Sequence, residues 1–126
     1  GRETFDSDGA YDATTNYRFT VPVGAAGKYA VMGACGVGGS SGAAGAGQYA
    51  NIRVNVNGGA WNTGSGAGRT QYSPAAGWDV YGLCHNVYPL AEGDYLELYV
   101  WHNLGASRRF EESVTFFAGW KLNGVT

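Results

Sequence analysis

Apolar and polar residues alternate along much of this chain. Over 48–57 the order QYANIRVNVN puts Ala50, Ile52, Val54 and Val56 on one side and Asn51, Arg53, Asn55 and Asn57 on the other. Successive side chains of an extended strand point to opposite faces, so this period predicts a half-buried β-strand with a polar outer face. Asn57-Gly58-Gly59 follows, and both residue types tolerate the positive φ of a tight turn. A second strand is predicted over 94–102, with Leu96, Leu98 and Val100 facing the core. Its other side carries Tyr95, Glu97, Tyr99 and Trp101, where an ordinary solvent face would be polar. Large aromatic side chains outside a core mark a subunit interface or a binding surface.

The segment 114–122 has the same two-sided character. Phe116, Ala118, Trp120 and Leu122 share one side, and Phe117, Gly119 and Lys121 the other. Shorter strands are predicted at 17–20, 28–35, 69–72, 78–88 and 108–111. No window combines a 3.6-residue period with helix caps, so helix is not expected. Many short strands separated by turn signals predict an all-β sandwich, jelly roll or barrel.

Composition narrows the picture. A chain of 126 residues fits one domain. Glycine is the outlier at 22 residues, and it is concentrated. Residues 33–47 read GACGVGGSSGAAGAG, and 58–68 read GGAWNTGSGAG. Each stretch reads as a strand end running into a loop, or as close backbone packing where side chains would not fit. No third-position glycine period runs through the chain, which excludes collagen within it. The net charge of −2 provides no basic stripe for nucleic acid. No run of about 18 apolar residues is present, so a transmembrane helix is excluded. Without an initiator Met, the chain reads as a piece of something longer, with Gly1 a cloning remnant. Cys35 and Cys84 are either two buried small residues or one disulfide; a zinc site would need more ligands than His85 and His102 supply.

Three segments carry a family resemblance. Tyr11-Asp12-Ala13-Thr14-Thr15-Asn16-Tyr17-Arg18-Phe19-Thr20-Val21-Pro22 resembles the opening signature of complement-type globular heads: Tyr-Asp, a Thr-rich turn, then Phe-Thr-x-Pro. Gly27-Lys28-Tyr29 matches the short glycine turn and aromatic strand that follow it. Leu90-Ala91-Glu92-Gly93-Asp94-Tyr95-Leu96-Glu97-Leu98 resembles the later Leu-x-x-Gly-Asp signature with its alternating strand. Phe116-Phe117-Ala118-Gly119-Trp120-Lys121-Leu122 is similar to the closing strand, Phe-x-Gly-x-x-Leu. The family is the globular head of complement component 1q, within the tumour-necrosis-factor-like jelly rolls. Thr15-Asn16 stands where members commonly carry Thr-Gly, and 33–80 has no family sequence. Abundant Tyr and Gly with few Lys resemble versions from bacterial viruses and bacteria.

The resemblance implies a single ten-strand jelly-roll domain over 1–126, with 11–122 as its core and 1–10 as a lead from a stalk or a tag, assembling as a threefold trimer. Tyr95, Tyr99 and Trp101, with Phe117, are then expected to line the trimer seam. Such heads sit at the end of a stalk or fibre, which implies an extracellular or virion-surface location.

No nucleophile elbow, paired-carboxylate cleft or phosphate loop is present, so an enzyme is not expected. Asp6-Ser7-Asp8-Gly9 with Asp12 reads either as an Asp/Gly surface turn or as part of a calcium site; no other cofactor is implied. Glu111-Glu112 beside Arg108-Arg109 reads as a solvated pairing. Trp61, Asn62, Tyr72 and Trp78 lie in glycine-rich or turn-like contexts. They are candidate ligand-binding loops for a cell-surface glycan or protein receptor, or they pack over a core edge. Three functions compete: a trimeric attachment head, a structural trimer such as a capsid decoration, and a secreted carbohydrate-binding sandwich.

Overall fold

The computed structural model describes residues 9–37, 45–59, 67–68, 70–72, 80–108, 110 and 115–124. They form nine strands and no helix: β1 (Tyr11–Asp12), β2 (Arg18–Thr20), β3 (Gly27–Val37), β4 (Tyr49–Val56), β5 (Ala67–Gly68), β6 (Thr70–Tyr72), β7 (Val80–Leu90), β8 (Tyr95–His102) and β9 (Phe116–Lys121). A five-stranded sheet runs β1-β2-β8-β4-β6, and a four-stranded sheet runs β5-β7-β3-β9. Every pairing is antiparallel. From β2 onward each connection passes from one sheet to the other. The two sheets pack face to face as a β-sandwich.

The predicted strands over 48–57, 94–102 and 114–122 are present as β4, β8 and β9. Of the expected strand at 108–111, only Arg108 and Phe110 are among the described residues, and Phe110 makes an isolated bridge to Val37. The turns follow their residues. Asn57 and Gly58 both have positive φ, at 53° and 65°, and the Gly59 N–H donates to the Val56 carbonyl at 3.0 Å. Two central residues with positive φ suit the right-handed twist of the flanking backbone.

The core lies between the sheets. Ala50, Ile52, Val54 and Leu96 come from the five-stranded sheet; Tyr29, Val31, Cys35, Val37, Val80, Cys84, Tyr88 and Leu90 come from the other. Leu98 and Val100 pack against this cluster, as their alternation predicts. Two glycines on the four-stranded sheet receive side chains from across the sandwich. A Cβ on Gly33 would collide with Leu98, and one on Gly82 would lie 2.7 Å from Ile52 Cγ2. In the first glycine-rich stretch, close backbone packing is therefore the outcome at Gly33; residues 38–44 lie outside the described set.

The cysteines are free and buried. Cys35 pairs with Gly82 and Cys84 with Gly33, which makes the cysteines diagonal neighbours on β3 and β7. Diagonal Cα atoms stand about 7–8 Å apart, beyond the usual disulfide span of about 4.4–6.8 Å. The structure therefore shows buried thiols and no bridge.

The outer side of β4 differs from expectation. Arg53 and Asn55 are only 8% and 6% exposed, although their strand positions predict a solvent face. Alternation sets the face a side chain points to; neighbouring segments decide whether that face stays wet.

Candidate functional site

Both sheets have an outer face with chemistry on it, and the two are unlike. On the four-stranded sheet the pairing register lines up three rows: Trp120–Ala30–Val87, Ala118–Met32–His85 and Phe116–Ala34–Leu83. Tyr81 continues this side of β7 opposite Gly36. Trp120, Phe116, Leu83, Val87 and Tyr81 are each about half exposed, between 44% and 54%. At about 150–250 Å² for an aromatic side chain, and somewhat less for Leu and Val, they leave on the order of 500 Å² of apolar surface. That is near the upper end of what a monomer usually presents, about 300–600 Å². His85 is the one titratable group on these rows; Lys28 stands beyond them, opposite Pro89.

Of the aromatics expected to share a seam, Tyr95, Tyr99 and Trp101 are on the outer face of the five-stranded sheet. Phe117 is not with them. It sits opposite Gly33, packs against the core cluster, and places its ring 6.1 Å from that of Tyr11. The reason is parity: Phe116 and Trp120 take the outside of β9, so Phe117 must point inward. The apolar outer face of β3, β7 and β9 was the surface that strand-by-strand reading missed. Its signal was present, since 28–35 and 78–88 are apolar on both sides.

The outer face of the five-stranded sheet mixes aromatic and polar groups. Along β8 the order is Tyr95, Glu97, Tyr99, Trp101. The Arg18 guanidinium stacks 4.3 Å from the centre of the Tyr95 ring, a cation–π contact. Arg18 is also the cross-strand neighbour of Glu97, yet among the described residues the Glu97 carboxylate has no hydrogen-bond or ion-pair partner. Trp101 packs against Tyr49 with ring centres 5.1 Å apart and remains 49% exposed; Tyr99 is 43% exposed.

Asp12 serves a turn. Its Oδ1 accepts from the Thr14 and Thr15 N–H groups and the Thr14 hydroxyl, and its Oδ2 accepts from the Asn16 N–H and side-chain amide, all at 2.8–3.0 Å. These backbone donors, led by Thr15, hold its carboxyl well below the usual carboxylate range. Five donors occupy the lone pairs a cation would need. Asp6 and Asp8 lie outside the described residues, and no His/Cys/Asp/Glu cluster suited to a metal is present among the described ones.

A second carboxylate joins two turns. Asp94 Oδ1 accepts from the Asn57 amide at 2.8 Å and Oδ2 from the Ala91 N–H at 2.7 Å, while Asn57 Oδ1 accepts from the Tyr95 N–H at 2.9 Å. The Asn57 bond, then the Ala91 bond, lowers the Asp94 pKa. The same turn meets the end of β2: the Val21 N–H donates to Asp94 O at 2.8 Å, and the Gly93 N–H to Val21 O at 3.0 Å. Of the expected ligand-binding residues, Trp61, Asn62 and Trp78 lie outside the described residues, as do Arg109, Glu111 and Glu112. Tyr72 ends β6, opposite Tyr49.

Compared with protein-family models, with curated proteins and with solved structures, the chain matches none.

Proposed function

We propose that this chain is a non-enzymatic, homotrimeric jelly-roll head of the complement-component-1q type, carried at the tip of a fibre or stalk on a virion or cell surface, where it attaches to a glycan or protein. The observation that carries the reading is the apolar outer face of β3, β7 and β9. Its area is a large part of the roughly 800 Å² per partner that a stable interface buries. Its three central rows carry no Asp, Glu, Lys or Arg, so packing copies together there desolvates no fixed charge. On this reading the seam lies on the four-stranded sheet, away from Tyr95, Tyr99 and Trp101.

The strand order supports the jelly-roll reading. Repeated sheet-to-sheet crossings are a feature of a wrapped double Greek key. The contact of Val21 with Gly93 and Asp94 also joins the two resembling signatures in space. Three copies would turn weak sites into useful avidity.

Light scattering on the purified protein tests the assembly. A mass three times the 13.2 kDa of one chain is expected. Leu83→Asp, which puts a charge in the centre of the apolar face, should yield a folded monomer. A monomeric wild-type protein at micromolar concentration refutes the trimer.

A further inference from the structure

We propose that the outer face of the five-stranded sheet, centred on Tyr99 and Trp101 of β8, binds a neutral saccharide. The inference rests on the preceding reading in one respect: assembly occupies the other sheet and leaves Tyr99 and Trp101 exposed.

Three observations select this class of ligand. The first is the aromatic platform. Trp101 and Tyr99 stand two residues apart on the same side of β8, about 7 Å along the strand, and both are close to half exposed. Tyr49 braces the indole from β4. Flat rings of this kind offer apolar faces to the C–H surfaces of a sugar.

The second is Glu97, one alternation step from Tyr99 on the same face. It is half-buried, and its carboxylate has no partner among the described residues; the guanidinium of its cross-strand neighbour Arg18 lies over Tyr95 instead. A carboxylate accepts only, so it calls for a ligand rich in donors, and vicinal hydroxyls provide them in pairs.

The third is the charge pattern. Arg18 and Glu97 share one row beside the aromatic pair, while Arg53 and Asn55 on the adjoining β4 are buried. A second copy packed here would strip water from both signs of charge, which the apolar sheet does not demand. A polyanion would meet Glu97 in the middle of the face and a chain of net charge −2. A cationic ligand would meet Arg18, whose guanidinium lies over the Tyr95 ring. A neutral polyol suits the exposed ring faces and the Glu97 carboxylate together.

Affinity electrophoresis of the full chain tests this, in native gels cast with laminarin, xylan, mannan or dextran. The wild-type protein should be retarded by at least one of these. Trp101→Ala should weaken that retardation about tenfold, and Glu97→Gln severalfold. Val23→Ala, on a loop away from this sheet face, should migrate as wild type. Circular dichroism and light scattering accompany each variant; if Trp101→Ala does not fold, Trp101→Phe and Glu97→Gln decide. The proposal is overturned if no polysaccharide retards the wild type, if folded variants retain full retardation, or if the protein is instead retained on choline-agarose. A monomeric mass with intact retardation would reject the trimer and uphold this site. A trimeric mass without retardation would do the reverse.

Discussion

Gly82 of β7 and Ile52 of β4 interlock across the sandwich. A Cβ at Gly82 would lie 2.7 Å from Ile52 Cγ2 and 3.1 Å from Ile52 Cβ, with Cys35 Sγ at 3.3 Å. Gly33 and Leu98 repeat the relationship at the next contact. The glycines therefore act as sockets, and their lack of a side chain sets how closely the sheets approach.

Gly82→Ala should destabilise the protein by about 1–3 kcal/mol, the usual cost of overpacking a close-packed core. Ile52→Ala alone should cost about 2–5 kcal/mol. The double variant should lose less than the two single losses together, because removing Cγ2 makes room for the new methyl. Urea denaturation of the four proteins measures the coupling. Simple additivity would show that Ile52 does not fill the socket.

The two thiols give a second prediction. Burial pushes the Cys35 pKa up to about 11 and raises that of Cys84 as well. Thiolate is the reactive form, and both sulfurs are out of reach of solvent. Ellman's reagent at pH 8 should find no reactive thiol in the folded protein and two in urea, without added reductant. Fewer than two thiols in urea would show a disulfide that the β3–β7 register does not accommodate.

Acid sensitivity gives a third. The Asp94 carboxyl, bonded to Asn57 and Ala91, is held below its ordinary 3.8. The unfolded chain then binds this proton more readily than the folded one. The stabilisation is fully present above the ordinary value and is lost as pH falls through the lower folded value. Asp12 follows the same sign at its own turn. Melting temperatures recorded from pH 6 to pH 2 should fall below about pH 4. The fall should be shallower in Asp94→Asn, which has no proton to take up. Equal acid slopes in the two proteins would remove Asp94 from the account.

Much of the local structure was legible along the chain. Alternation at Ala50, Ile52 and Val54, and again at Leu96, Leu98 and Val100, identified two strands and the faces they bury. Asn57-Gly58 marked a turn because positive φ is inexpensive there. Cys35 and Cys84 stayed ambiguous, since spacing along the chain says nothing about whether two strands meet face to face or on the diagonal. Phe117 was harder still. A strand such as FFAGWK offers large side chains to both sides, and alternation gives two faces without saying which is inner.

What the sequence determined by itself was this chain's all-β character, because period-two patterning and turn residues act over a few neighbours. Tertiary structure decided which outer faces become surfaces with a purpose. β3, β7 and β9 are far apart in sequence, and only their pairing joins Met32, Leu83 and Trp120 into one apolar patch. Pairing of β2, β8 and β4 likewise brings Arg18, Glu97 and Tyr99 onto a second face of opposite character. Side-chain alternation is a property of one strand; a contiguous surface belongs to several, and the crossing connections between the sheets determine which strands share it.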